Sequence, residues 1–276
     1  MNKLLSSGFS RLKRDKIFWV SIVALLLYSI VYMLNGCRQA LSHDMAEFKY
    51  PLDAYYFHYG LSIGLFCSVF TSIFLGTEYQ QGTIRNKLIV GHTRTAIYLS
   101  NLMVSFTASL FMLLAWLIGA LVGIPFLGPW KMGPLLLLYL LISVLFLAAF
   151  SAIFTFIGML TSYKTIAQVF SLLFFFALLM GGSMLYEALQ QPEMTSPIVM
   201  TTEGMQIADP VPNPSYVTGP LRSVYEFLVD LLPTGQGIQM FDLNIRHPLR
   251  MILSSLGITA GVSAVGICLF RRKNLN

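Results

Sequence analysis

Residues 132–160 read MGPLLLLYLLISVLFLAAFSAIFTFIGML, twenty-nine positions without one charged side chain. A hydrocarbon core of about 30 Å is crossed by a helix of about 20 apolar residues. Backbone polar groups in lipid must be satisfied within the segment, so such a run is read as a helix. It is longer than a crossing requires and must tilt or extend past the lipid. Five further runs share its character, at 17–34, 57–76, 97–124, 166–189 and 249–270, and none has a Lys, Arg or Asp in its middle. The strict alternation of a membrane barrel is absent.

The whole chain agrees with its most apolar segment. Of 276 residues, 56% are hydrophobic and 11% are charged, where a soluble domain carries about 25% charged residues. The expected fold is an all-α integral membrane protein, one transmembrane domain over 1–276 with six spans. Lys3, Arg11, Lys13, Arg14, Lys16, Arg85, Lys87, Arg94, Lys164, Arg271, Arg272 and Lys273 fall on one side, against Asp15 and Glu78. Arg38, Lys49, Lys131, Arg222, Arg246 and Arg250 fall on the other, with the remaining acidic residues. The positive-inside rule then puts both termini in the cytoplasm. The basic balance is explained by topology and gives no reason to expect nucleic-acid binding.

Residues 1–16 place Leu4, Leu5, Phe9 and Leu12 at near-helical spacing among basic residues, which predicts an amphipathic helix on the inner leaflet. The outer connection, about 190–248, begins with Pro192, Pro197, Pro210, Pro212 and Pro214 and is expected to be extended and exposed there. Leu221, Val224, Tyr225, Leu228 and Leu232 then share one helical face, with Arg222, Glu226 and Asp230 on another, and Pro233 and Gly235 are expected to end that helix. Tyr55, Tyr56, Tyr59 and Trp130 read as an outer aromatic belt and Trp19 as an inner one. Gly60/Gly64, Gly119/Gly123 and Gly257/Gly261 are small-residue pairs at helical spacing, suited to close helix packing. Cys37, Cys67 and Cys268 are too dispersed to imply a disulfide or metal framework. Leu34-Asn35-Gly36-Cys37 loosely resembles a lipoprotein cleavage box, but the apolar run before it exceeds the 7–15 residues of a signal core, so an uncleaved first helix is expected.

Between the second and third runs lies the polar segment Glu78-Tyr79-Gln80-Gln81-Gly82-Thr83-Ile84-Arg85-Asn86-Lys87-Leu88. On this topology it emerges into the cytoplasm. Thr83 is expected to cap a short helix with Ile84 and Leu88 on one face, Gly91 to end it, and Thr93 to cap the next span. A short helix held across the mouth of the bundle by two long spans can relay movement from a docked partner.

Glu78, the run Gly82-Thr83-Ile84-Arg85-Asn86-Lys87-Leu88 and Arg94 with Ile97-Tyr98-Leu99-Ser100 resemble the signature of type-2 ATP-binding-cassette (ABC) transporter permeases. The likeness is greatest to the bacterial group linked to export of, or immunity to, peptide antibiotics. It extends to the basic N-terminal helix, the six spans and Leu231-Leu232-Pro233-Thr234-Gly235-Gln236; Asn101 departs from it, standing where a lysine is expected. The resemblance implies that residues 78–90 include a coupling helix seated in a groove of a cytoplasmic ATPase. Glu78, Arg85 and Lys87 would make polar contacts there and Ile84 and Leu88 would fill the groove, with Gly82, Thr83, Asn86 and Arg94 completing the segment.

The chain has no Gly-x-x-x-x-Gly-Lys-Ser/Thr phosphate loop. No cofactor of its own is expected: ATP and Mg would be held by a separate ATPase, in two copies, beside a second permease, identical or related. The resemblance further implies a multi-pass protein of a bacterial plasma membrane that moves an amphipathic or hydrophobic substrate, peptide-like or lipid-like, outward or out of the membrane. Phe66, Phe70, Phe174, Phe175 and Phe176 are candidates for lining a cavity between permeases. A secondary transporter would be expected to hold ionisable groups at mid-membrane, and the spans offer only residues such as Ser68, Thr71, Ser105, Gln168 and Thr259. His43, His58, His92 and His247 are scattered without catalytic or metal-site spacing, which argues against an enzyme. A membrane sensor or scaffold using the same segment is the remaining alternative.

Overall fold

The computed structural model describes residues 1–42, 52–127, 133–201, 204–207 and 209–274. Trp130, His43, Lys49 and Lys131, which figure in the sequence reading, lie outside the described residues. Six helices are long and apolar enough to cross a membrane, at Lys16–Gln39, Tyr59–Gln80, Arg94–Gly123, Leu136–Leu160, Lys164–Gln190 and Pro248–Arg272. The molecule is an all-α membrane protein.

The chain opens with α1 (Asn2–Arg14), which buries Leu4, Gly8 and Leu12 and ends in Arg11, Lys13 and Arg14. Asp15 breaks it and starts α2 (Lys16–Ser42), its carboxylate accepting from the amides of Ile17 and Phe18 at 2.9 and 3.0 Å. That is an N-cap, satisfying two donors the helix cannot. α2 runs eight residues beyond the predicted end at 34. It therefore contains Cys37, which is buried within the helix, not beyond it. The short α3 (Leu52–Tyr56) leads into α4 (Tyr59–Gln80), α5 (Thr83–Ile89) and α6 (Arg94–Ala120). α7 (Leu136–Leu160) and α8 (Lys164–Gln190) follow.

Within the bundle, α4 packs on α7 and α8, α2 on α6, and α11 (Pro248–Arg272) on α7. Lipid tails are as apolar as leucine, so packing and hydrogen bonds between helices must hold the bundle. Cys67 meets Ser109 and Ser109 meets Ser151, each at 3.2 Å, and Tyr59 meets Ser143 at 2.5 Å. Tyr59 is fully buried, so it belongs to the core and not to the outer belt. Phe70 and Phe175 are also core residues, whereas Phe174 and Phe176 face outward.

Two of the three glycine pairs are consumed inside the chain. A Cβ on Gly60 would strike the Gly237 carbonyl, and one on Gly64 would strike Phe175 and Phe150. Gly119 lies against Ser29 and Leu26, and Gly123 against Met33. Gly257 and Gly261 face open space.

The connection between α8 and α11 is more ordered than its prolines suggest. β1 (Met194–Thr195) pairs with β4 (Val211–Pro212), and β2 (Ile198–Thr201) with β3 (Gly204–Ile207), all antiparallel. The amphipathic helix is α9 (Gly219–Leu231), but Pro233 does not close it into a loop. Leu232 is extended, and Pro233 opens a second helix, α10 (Pro233–Phe241). Proline lacks an amide hydrogen that the first helical position would leave unused, so it starts a helix as readily as it stops one. Residues Pro233–Met240 are buried. Gln236 donates to the carbonyls of Asp230 and Met251, and Thr234 to that of Leu178, which ties α10 into the bundle.

Candidate functional site

The last turn of α4 delivers Glu78 into the protein at 2% exposure. A lone buried carboxylate is strongly disfavoured unless paired and hydrogen-bonded. Here it is both. Arg11 of α1 forms an ion pair with Oε1, and Lys87 of α5 reaches the same oxygen at 2.5 Å. Asn101 of α6 donates Nδ2 to Oε2 at 2.9 Å, and the Thr83 hydroxyl donates to the Glu78 carbonyl at 2.9 Å. Arg11 also lies 3.6 Å from the centroid of the Phe74 ring and donates to the Phe74 carbonyl at 2.6 Å. Burial lowers the Arg11 pKa while the Glu78 charge works against that fall, and a guanidinium stays protonated regardless. One carboxylate thus joins α1, α4, α5 and α6.

This bracket sets the pose of α5. Gly82 enters it with φ 65° and Gly91 leaves it with φ 94°, left-handed values that glycine adopts without strain. Gly82, not Thr83, is the N-cap residue, because the Thr83 side chain is turned back to Glu78. Thr93 caps α6, accepting from the Ala96 amide at 3.2 Å.

The faces of α5 differ from the sequence expectation. Ile84 is 2% exposed and Leu88 packs against the core, so neither is presented outward. Arg85 and Asn86 are exposed, and so are Ile89 and Val90, at 75% and 76%. Lys87, one turn from Ile84 and next to Leu88, pairs with the buried Glu78, and so positions 84, 87 and 88 turn inward together. Glu78 and Lys87 are likewise turned inward. Arg94 departs altogether: it donates to the carbonyls of Phe270 at 2.9 Å and Arg271 at 3.2 Å, and to that of Lys273. A cation there satisfies the open C-terminus of α11. Lys273 in turn bonds the Tyr79 hydroxyl at 3.0 Å and the Met159 carbonyl at 3.1 Å. Burial pushes its pKa down to about 8.

Between α1 and α5 runs a crevice of about 260 Å³ lined by Lys3, Leu4, Ser7, Thr83, Asn86, Lys87, Val90 and His92. The sequence did not bring Arg11 to Glu78 or foresee the Asn101–Glu78 bond, and it gave Ile89 and Val90, though inside 78–90, no role of their own. Leu88-Ile89-Val90 held a signal, because three successive apolar residues on a short helix cannot all face inward. Among the described residues no group of His, Cys, Asp and Glu has the geometry of a metal site.

A family model described as ABC-2 family transporter protein matches residues 4–186. The chain belongs to this family. The match takes in all but the first two residues of α1, the bracket around Glu78 and the whole of α5. No curated protein matches the chain. ABC-2 permeases are membrane subunits, generally not catalytic themselves, that associate with an ABC ATPase. The chain is therefore a permease subunit of an ABC transporter and a multi-pass membrane protein.

Proposed function

We propose that Arg85, Asn86, Ile89 and Val90 form the surface through which a cytoplasmic ATPase drives this permease. The carrying observation is the exposure of Ile89 and Val90, at 75% and 76%, on a helix whose opposite face is fixed by the Glu78 bracket. Two large apolar side chains at the rim of a basic surface suit a protein partner better than water. The neighbouring crevice, with Lys3, Lys87 and His92 in its wall, favours an acidic side chain from that partner.

On this reading two ATPase copies bind ATP and Mg and serve this permease with a second one, identical or related, in a bacterial plasma membrane. Their strokes move α5, and with it α1, α4 and α6 as one body. The substrate is amphipathic or hydrophobic, peptide-like or lipid-like, and moves outward or out of the membrane. The lack of Asp, Glu, Lys or Arg at the middle of any span supports an external energy source, because an ion-driven transporter would be expected to hold an ionisable group there.

The test places cysteine at Val90 in native membranes and applies a short thiol-to-amine cross-linker, with the wild-type chain as the control for Cys37, Cys67 and Cys268. The expected product joins this chain to a nucleotide-binding protein. Modification of the introduced cysteine by an impermeant reagent in intact cells would overturn the assignment.

A further inference from the structure

A long groove opens between α8 and α11, floored by α7 and roofed at its outer end by α9. It holds about 1060 Å³ and is lined by Phe170, Phe174, Phe227, Leu253, Gly257 and Gly261 among others. α11 leans on α7 and α8 leans on α4, and the space lies between the two pairs. No Cβ on Gly257 or Gly261 would meet a neighbour within 4 Å, so this stripe lies open where the other glycine pairs are filled. The groove wall is apolar except near its ends, where Arg250 stands at the outer mouth and Thr161 at the inner.

The dimensions admit acyl chains. Arg250 to Val265 is roughly 22 Å of helix at 1.5 Å per residue. Dividing 1060 Å³ by that length gives a mean section of about 50 Å². Carbon atoms pack at about 4 Å, so a section of about 50 Å² has room for two hydrocarbon chains side by side.

The outer mouth adds a charge. Arg250 donates one N–H to Asp230 Oδ2 at 3.3 Å and is 39% exposed. Asp230 is independently held by Gln239 at 2.9 Å and by His247 at 3.1 Å. A guanidinium has five N–H donors in a planar fork, so Arg250 retains donors for a phosphate at the headgroup level. Arg222 and Arg246 flank Glu226 nearby, at 3.4 and 3.7 Å.

We propose that this groove binds one phospholipid of the outer leaflet, its two acyl chains along α11 and its phosphate on Arg250. An acyl chain gains little by exchanging lipid neighbours for protein walls. Retention therefore depends on the Arg250 end and on the open glycine stripe. The proposal is independent of the ATPase surface, which lies at the opposite end of the molecule.

The experiment is native mass spectrometry of the full chain, reconstituted with phosphatidylglycerol and then diluted into lipid-free maltoside detergent. The wild type is expected to retain one phospholipid per chain. Gly257→Phe with Gly261→Phe, which fills open space, is expected to lose it while remaining folded by circular dichroism. Arg250→Ala is expected to weaken retention about tenfold or more. Equal retention by the filled variant would overturn the proposal. So would a filled variant that changes from dimer to monomer with retention unaltered, since the groove would then belong to a second copy.

Discussion

Replacing Glu78 by alanine would strand Arg11 and Lys87 beside each other without their counter-charge. Removing one partner of a buried pair costs about 3 kcal/mol or more. Here the cations keep 25% and 14% exposure, so the lower end applies. The expected outcome is a thermal midpoint roughly 5 °C lower for the purified chain, with Glu78→Gln in between because an amide oxygen still accepts from Lys87. An unchanged midpoint for Glu78→Ala would remove the bracket from the account. Lys273 gives a pH test of the same region. Its pKa in the folded chain is about 8, below the ordinary 10.5. Below pH 8 the ammonium is charged folded and unfolded, and folding carries the full desolvation penalty. Between 8 and 10.5 the folded chain releases the proton while the unfolded chain keeps it, so stability rises with pH. The midpoint is expected to climb over that window in the wild type by more than in Lys273→Met. Neither position could be read fully from the chain. Glu78 stands at the end of a span, and whether it faces water depends on Arg11, brought from 67 residues away in sequence.

At the scale of elements, close approach replaces side-chain interlocking at two joints. α4 and α10 meet backbone to backbone, with Gly60 and Gly237 each blocking a Cβ on the other. Gly237→Ala must push these helices apart and is expected to destabilise the chain by about 1–3 kcal/mol, measured as a lower thermal midpoint. α1 seats on α6 through Gly8, whose Cβ would stand 2.8 Å from Val104 Cγ2. Gly8→Leu is expected to lift α1 from the bundle, exposing residues 2–14 to limited proteolysis while the six spans stay protected; equal protection in the variant would show that α1 docks otherwise. The amphipathic pattern of α1 was legible because Leu4 and Leu12 share the face it buries. α9 was legible as a helix but not in its faces, since Leu221 and Val224 are exposed while Val229 and Asp230 are buried, Asp230 being held by Gln239, His247 and Arg250. The existence of α10 was not legible, because proline and glycine spell a turn as well as a helix start. Its burial rests on tertiary hydrogen bonds from Thr234 and Gln236 that no local pattern announces.

For the whole molecule, the six spans were the most legible feature, since each had to be long, apolar and internally bonded to cross lipid. The short helix proposed to meet the ATPase was legible as an element but not in orientation. Residues 78–94 stood out as polar between spans, yet the rotation of α5, and with it the choice of Ile89 and Val90 over Ile84 and Leu88, is set by Lys87 finding a carboxylate inside the bundle. The central claim is that this exposed face of α5 engages an ATP-hydrolysing partner. Its most direct test is the ATP hydrolysis that co-purifies with the tagged chain from native membranes, compared with Arg85→Glu combined with Val90→Glu. Hydrolysis is expected with the wild type, and at least a tenfold loss in the variant, at equal amounts of membrane-inserted chain. Undiminished hydrolysis with the reversed surface would contradict it.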